Sequence, residues 1–101
     1  MIVSGYNVYP REVEEVLYRH PAIAEVAVIG EPDLRKGARL CALIVARGRD
    51  APLAGDLFDF CAQYLVRYKI PSEFRFVRSL PKTAVGKIDR KVLKSQSANS
   101  L

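Results

Sequence analysis

The sequence predicts an α+β fold: a small, mostly antiparallel three-stranded sheet packed with helices. Three observations predict it. Segments 23–29 and 39–46 are dominated by apolar and β-branched residues and have strand length. Segment 73–78 alternates, with Phe74 and Phe76 on one side. Two further segments, opening near Pro10 and Leu53, repeat apolar residues at helical spacing. The order helix, strand, strand, helix, strand, short helix describes helices laid on one small sheet.

Taken in order, Met1 to Val3 is short and apolar, and Ser4-Gly5-Tyr6-Asn7 reads as a turn. Pro10 opens the first helix at a position where its missing N–H costs nothing. Glu12, Glu14 and Glu15 lie near the positive end of the helix dipole, and Arg19 lies near the negative end. Val13, Val16 and Leu17 make the apolar face, and Pro21 stops the helix. The strand from Ile23 to Ile29 is expected to end at Gly30, with a polar loop from Glu31 to Ala38. Arg39 to Ala46 is apolar on both faces and is therefore expected at the centre of the sheet. Leu53, Leu57, Phe60, Cys61, Tyr64 and Leu65 define the second helix. Glu73 to Arg78 is the third strand, Ser79 to Gly86 a loop, and Asp89 to Lys94 a short last helix. Residues 95–101 are small and polar and are expected to form a flexible tail, leaving 1–94 as one domain.

A chain of 101 residues is one domain by size and can bury a core without staples. The net charge of +5 and pI of about 9.5 favour anionic partners without choosing among them. Cys41 and Cys61 sit inside apolar stretches and His20 is the only histidine, so no Cys/His cluster with zinc-ligand spacing exists. Two buried thiols in a reducing compartment, no signal-peptide pattern and no apolar run near the ~20 residues of a membrane span lead to the expectation of a cytoplasmic protein. The pattern contains no long Gly-rich phosphate loop and no nucleophile beside a base, so any chemistry must be shared with another domain or chain.

The segment Pro81-Lys82-Thr83-Ala84-Val85-Gly86-Lys87-Ile88-Asp89-Arg90 displays a lysine directly after a glycine, on a loop between two regular elements. Gly86 permits a tight turn and close approach to a ligand, and Lys87 is a mobile charge that can meet phosphate or carboxylate oxygens. Such a lysine is also an ordinary loop residue, and its mechanics alone do not separate the two readings.

The same ten residues resemble the last signature of the adenylate-forming superfamily. That signature is proline, four variable residues, glycine, lysine, an aliphatic residue, any residue, arginine; Pro81, Gly86, Lys87, Ile88 and Arg90 fit it. Gly5-Tyr6-Asn7-Val8-Tyr9-Pro10-Arg11-Glu12-Val13-Glu14 is similar to the segment after the hinge in these enzymes, and Tyr68-Lys69-Ile70-Pro71 to the step before their third strand. His20-Pro21-Ala22-Ile23 and Gly30-Glu31-Pro32-Asp33 also match, so the likeness covers about Met1 to Leu93.

The resemblance implies the mobile C-terminal domain of an AMP-forming acyl-CoA synthetase, a two-step ligase using ATP with Mg²⁺ and coenzyme A. Its partner is the large N-terminal domain of the same chain, which binds most of the ATP and the acid, with the hinge residue expected before Met1. Lys87 is implied as the adenylation lysine, supported by Gly86. Gly5 is implied to line the thiol tunnel, Tyr68 to meet the CoA adenine, and Lys36 to stand where some relatives place a tryptophan near that tunnel. Ile70 and Ser72 depart from relatives that carry basic groups there. Tyr6 to Pro10 together with Tyr68 to Pro71 look like fatty-acyl or aryl CoA ligases, whereas Asp89 is the residue favoured by carrier-protein-loading adenylation domains. A non-catalytic module that binds anions or proteins is the alternative from another class. The isolated chain is expected to have no turnover.

Overall fold

The structure, a computed structural model, describes residues 2–3, 5–35, 37–49 and 51–99. The chain opens with a small hairpin, β1 (Ile2–Val3) and β2 (Tyr6–Asn7), which the sequence reads only as a turn. Helix α1 (Pro10–Tyr18) has Pro10 in its first turn and buries Val13, Glu14, Val16 and Leu17. β3 (Ile23–Asp33) and β4 (Gly37–Ala46) then form a long antiparallel hairpin. Helix α2 (Ala54–Ala62), a short 3-10 turn (Arg67–Lys69) and strand β5 (Glu73–Phe76) follow. Helix α3 (Arg90–Asn99) ends the described chain.

The main sheet has the order β3-β4-β5, so the strand apolar on both faces is indeed central. It is mostly antiparallel, as expected, but not purely so: β4 runs antiparallel to β3 and parallel to β5, with Cys41 opposite Glu73 and Ile44 opposite Phe76. The physical reason is the connection. A tight turn would return β5 antiparallel, but α2 and the 3-10 turn carry the chain back across the sheet, and parallel strands require such a crossover.

Several boundaries also differ from expectation: β4 begins at Gly37 rather than Arg39, and β5 ends at Phe76 rather than Arg78. β3 runs through Gly30 to Asp33, because Glu31, Pro32 and Asp33 pair with Arg39, Ala38 and Gly37. Pro32 is tolerated there because β3 is an edge strand. α2 is shorter than its apolar repeat, leaving Leu53 and Tyr64 outside it and exposed. α3 continues to Asn99, past Lys94, through residues expected in the tail.

Strand alternation splits the core in two. Val26, Val28, Leu40, Ala42 and Ile44 face α1 and α2 and join Val13, Leu17, Leu57 and Cys61. Ala27, Ile29, Cys41 and Leu43 face the opposite way, where Leu80, Ile88 and Leu93 cover them. Both cysteines are free and buried, and burial pushes each thiol up to about 11, so they are neutral packing groups. Among the described residues, no helix is long and apolar enough to cross a membrane.

Candidate functional site

The segment carrying Lys87 is a hairpin loop. Lys82 and Ile88 form an antiparallel bridge, and the Asp89 N–H donates to Pro81 O at 2.8 Å. The Thr83 N–H donates to Lys87 O at 2.7 Å, and the Gly86 N–H donates to Thr83 O at 2.9 Å. Gly86 lies at φ +85°, which makes a three-residue loop closed by a left-handed glycine. A side chain at Gly86 would meet no atom within 4 Å, so the requirement is conformational and not steric. The Lys87 N–H is also 3.3 Å from Thr83 Oγ1. Asp89 accepts from the Val92 N–H at 3.2 Å, giving α3 a side-chain cap. The hairpin therefore runs directly into a capped helix, and Ile88 packs it onto the sheet.

Charges fix this hairpin at two further points. Lys82 Nζ is 2.7 Å from Glu25 on β3. Arg90 pairs with Glu14 of α1, whose other oxygen accepts from the Val28 N–H at 2.7 Å. The bond to Glu14 raises the Arg90 pKa above the usual guanidinium value. Lys87 is exposed, and among the described residues its ammonium makes no ion pair. It lines an open groove of about 560 Å³ with Arg11, Glu15, Tyr18 and Gly86. Lys82 and Arg90 on either side are thus paired and held, while Lys87 is left available.

The second set of residues lies elsewhere. Gly5 is exposed at φ +83° in the β1–β2 hairpin, with nothing within 4 Å of an added Cβ. Its neighbour Tyr6 stacks on Tyr68, ring centroids 4.3 Å apart and planes 15° apart. Tyr68 is half-buried against the α1/α2 core. A groove of about 500 Å³ beside it is lined by Val3, Phe58 and Tyr68 and contains Arg39 and Arg67. Ile70 is buried and Ser72 Oγ donates to Leu40 O at 3.1 Å, so those two positions serve packing. The groove's cations come instead from Arg39 and Arg67. Lys36 lies outside the described residues.

These two sets lie toward opposite ends of the sheet. Ile2 O is 3.8 Å from where a Cβ on Gly37 would stand, at the Asp33–Gly37 end of the β3–β4 hairpin. Lys82 pairs with Glu25, near the other end. Glu25 and Asp33 are separated by roughly 25 Å of extended strand at ~3.3 Å per residue. Val3 and Tyr68 pack with the α1/α2 core, and Ile88 with the α3 core.

Other residues resolve into structural roles. Glu12 pairs with Lys69 at 2.8 Å, tying α1 to the turn that carries Tyr68. His20 packs edge-on against Phe60. Glu31, Cys41 and Glu73 place donor atoms within 4.8 Å of one another. Arg39 and Arg75 already engage both carboxylates, which gives a charge network rather than a cation site. Sequence reasoning missed Glu14, which reads as a dipole-favoured acid. Its signal was position: it lies three residues before Leu17, at the margin of the apolar stripe, where a carboxylate becomes buried.

The mixed sheet, with helices on both faces, carries at one end a braced hairpin whose Lys87 makes no ion pair among the described residues, and at the far end a stacked aromatic pair. The sequence profile of the AMP-binding enzyme C-terminal domain matches residues 12–87, and the chain belongs to that family. It is 43% identical over 100 residues to a long-chain-fatty-acid–CoA ligase of Bacillus subtilis, covering 98% of this chain and 18% of that protein. It is 40% identical over 96 residues to the fatty acid–[acyl-carrier-protein] ligase ScoC of Streptomyces coeruleorubidus, covering 95% of this chain and 18% of that protein. A Mycobacterium tuberculosis fatty acyl CoA synthetase superposes with a TM-score of 0.91 at 38% identity, over 98% of this chain and 20% of that one. The chain thus spans about a fifth of the length of the proteins it matches.

Proposed function

We propose that this domain is the mobile C-terminal part of an ATP-dependent, AMP-forming carboxylate–CoA ligase, with a fatty acid as the acid substrate and the cytoplasm as its compartment. The observation that carries the reading is the unpaired Lys87 ammonium on a hairpin whose other cations are paired with Glu25 and Glu14. In the first half-reaction a carboxylate oxygen attacks the α-phosphorus of ATP, forming acyl-AMP and expelling pyrophosphate. Two anions must meet, and charge develops on the phosphoryl oxygens. A lysine held at that point offsets the repulsion and stabilises the developing charge. Mg²⁺ and most ATP contacts belong to the large N-terminal domain, which is also this domain's partner.

In the second half-reaction the thiol of CoA attacks the acyl carbonyl and AMP leaves. The Gly5 end serves this step: a residue without a side chain leaves space for pantetheine. The outer face of the Tyr6–Tyr68 stack offers an aromatic platform, and Arg67 offers charge to nucleotide phosphates. Separating the two sites along the sheet suits a domain that turns between steps needing different surroundings. Loading a carrier protein is the second reading, favoured by the likeness to ScoC and by Asp89. Comparing turnover with free CoA against a phosphopantetheinylated carrier protein separates the two.

The test uses a full-length enzyme carrying this domain. Lys87→Ala should lower pyrophosphate release by ~10²–10³ or more, the scale of losing one key electrostatic stabiliser. Thioester formation from supplied acyl-AMP should change far less. Equal loss in both half-reactions would remove Lys87 from the adenylation step.

A further inference from the structure

We propose that Glu14 is a positioning residue for adenylation, holding the Lys87 hairpin in place by bridging β3 and the first residue of α3. The inference rests on the reading of Lys87 above. Glu14 is a carboxylate with 5% exposure on a helix that otherwise buries only valine and leucine. A buried charge is retained only when both oxygens are satisfied, and here each has a different partner. One accepts from the Val28 backbone N–H at 2.7 Å, which locks the side chain to a strand that cannot shift without breaking the sheet. The other engages the Arg90 guanidinium.

Arg90 begins α3 immediately after the Asp89 cap, and Asp89 closes the hairpin stem through its N–H to Pro81. Only Ile88 and Asp89 separate Lys87 from the residue Glu14 grips. The sole other ion pair from this hairpin, among the described residues, is Lys82 to Glu25, where both side chains are about a third exposed. In the Glu14–Arg90 pair the Arg90 side chain is equally exposed, at 42%, but the carboxylate is buried and also fixed to a backbone amide, whereas both ends of the Lys82–Glu25 pair are solvated. Glu14 therefore adds to the packing of Ile88 a directed anchor that orients the hairpin relative to the domain body. A misplacement of about 1 Å at a reacting centre can cost ~10²-fold in rate.

Glu14→Gln is the discriminating variant. It keeps the shape and an oxygen for the Val28 N–H, but turns an amide NH₂ toward Arg90, so the fold is retained and the bridge is lost. In the full-length enzyme, Glu14→Gln should lower the adenylation kcat by ~10- to 100-fold and leave KM for ATP and acid within about two-fold. Thioester formation from supplied acyl-AMP should also stay within about two-fold. Arg90→Gln should behave alike. The double variant, which restores a neutral hydrogen-bonded pair, should be no worse than either single one. Lys87→Ala is measured in parallel. If Lys87→Ala abolishes adenylation while Glu14→Gln leaves it intact, the positioning role is wrong and the lysine assignment stands. Glu14→Gln effects that are equal in both half-reactions and accompanied by a lowered Tm mark a merely structural carboxylate and overturn the proposal. Multiplying defects in the double variant overturn it too. If Lys87→Ala itself leaves adenylation intact, the lysine assignment fails first and this inference falls with it.

Discussion

The Lys87 end and the Gly5 end of the sheet are built by different means. At the Lys87 end, ion pairs do the fixing: Glu25 holds Lys82 and buried Glu14 holds Arg90, on either side of a lysine that is left unpaired. At the Gly5 end, apolar and aromatic contacts do most of it: Val3 is buried and Tyr6 lies flat on Tyr68, with the Glu12–Lys69 pair holding the turn beneath. The difference suits what each end is proposed to meet. Charged groups braced by charges can be aimed at a phosphoryl centre with little reorganisation. A flat aromatic surface beside an open glycine accommodates a long, thin, mostly neutral chain with a ring at its far end.

If the two ends serve two steps, variants at each end should produce mirror-image defects. The largest contrast sets Lys87→Ala, which removes the first step, against Gly5→Leu, which should remove the second. Gly5→Leu combines two effects, and the structure separates them. The φ of +83° costs any L-residue ~1–2 kcal/mol, whereas no atom of this domain lies within 4 Å of a Cβ at that position. Gly5→Ala and Gly5→Leu should therefore lose similar stability in a melt. Only leucine should lower acyl-CoA formation, on the order of 100-fold, with acyl-AMP accumulating and pyrophosphate release near normal. Equal activity in the two variants would place the tunnel elsewhere.

Tyr68→Ala is expected to act more gently. It strips a stacking partner worth ~0.5–1.5 kcal/mol, so KM for CoA should rise about 3- to 10-fold while adenylation is unchanged. An unaltered KM would restrict Tyr68 to packing against Tyr6.

The smallest effect concerns Glu12 and Lys69, which link α1 to the turn bearing Tyr68. The hydrogen bond to Glu12 raises the Lys69 pKa above 10.5. A raised lysine pKa means the pair contributes fully below 10.5 and loses its contribution as pH rises through the higher folded value. The Tm difference between wild type and Glu12→Gln should be small and constant from neutral pH to about pH 10, and should vanish at more alkaline pH. A difference that persists at high pH would mean Glu12 acts through something other than Lys69.

Much of this was legible in the residues themselves. Pro10 and the Val13-Val16-Leu17 stripe define α1, and the doubly apolar 39–46 run is the central strand because only a strand covered on both faces has that composition. Gly86 before Lys87 marks the turn, since the loop needs a left-handed residue there. Lys87 was singled out by the resemblance of Pro81, Gly86, Lys87, Ile88 and Arg90 to a family signature, not by its loop position alone. All of these are local properties, set by periodicity and backbone freedom within a few residues. The tertiary structure decided what depends on distant segments meeting. It set β5 parallel to β4, because direction follows from where α2 returns the chain. It extended β3 through Pro32, because the partner strand offered pairing on an edge. It brought Tyr6 onto Tyr68 and Glu14 onto Arg90 across 76 residues, turning an unremarked acid into the anchor of the lysine hairpin. No periodicity encodes such a pairing, since a buried carboxylate is stable only once the fold has delivered both of its partners.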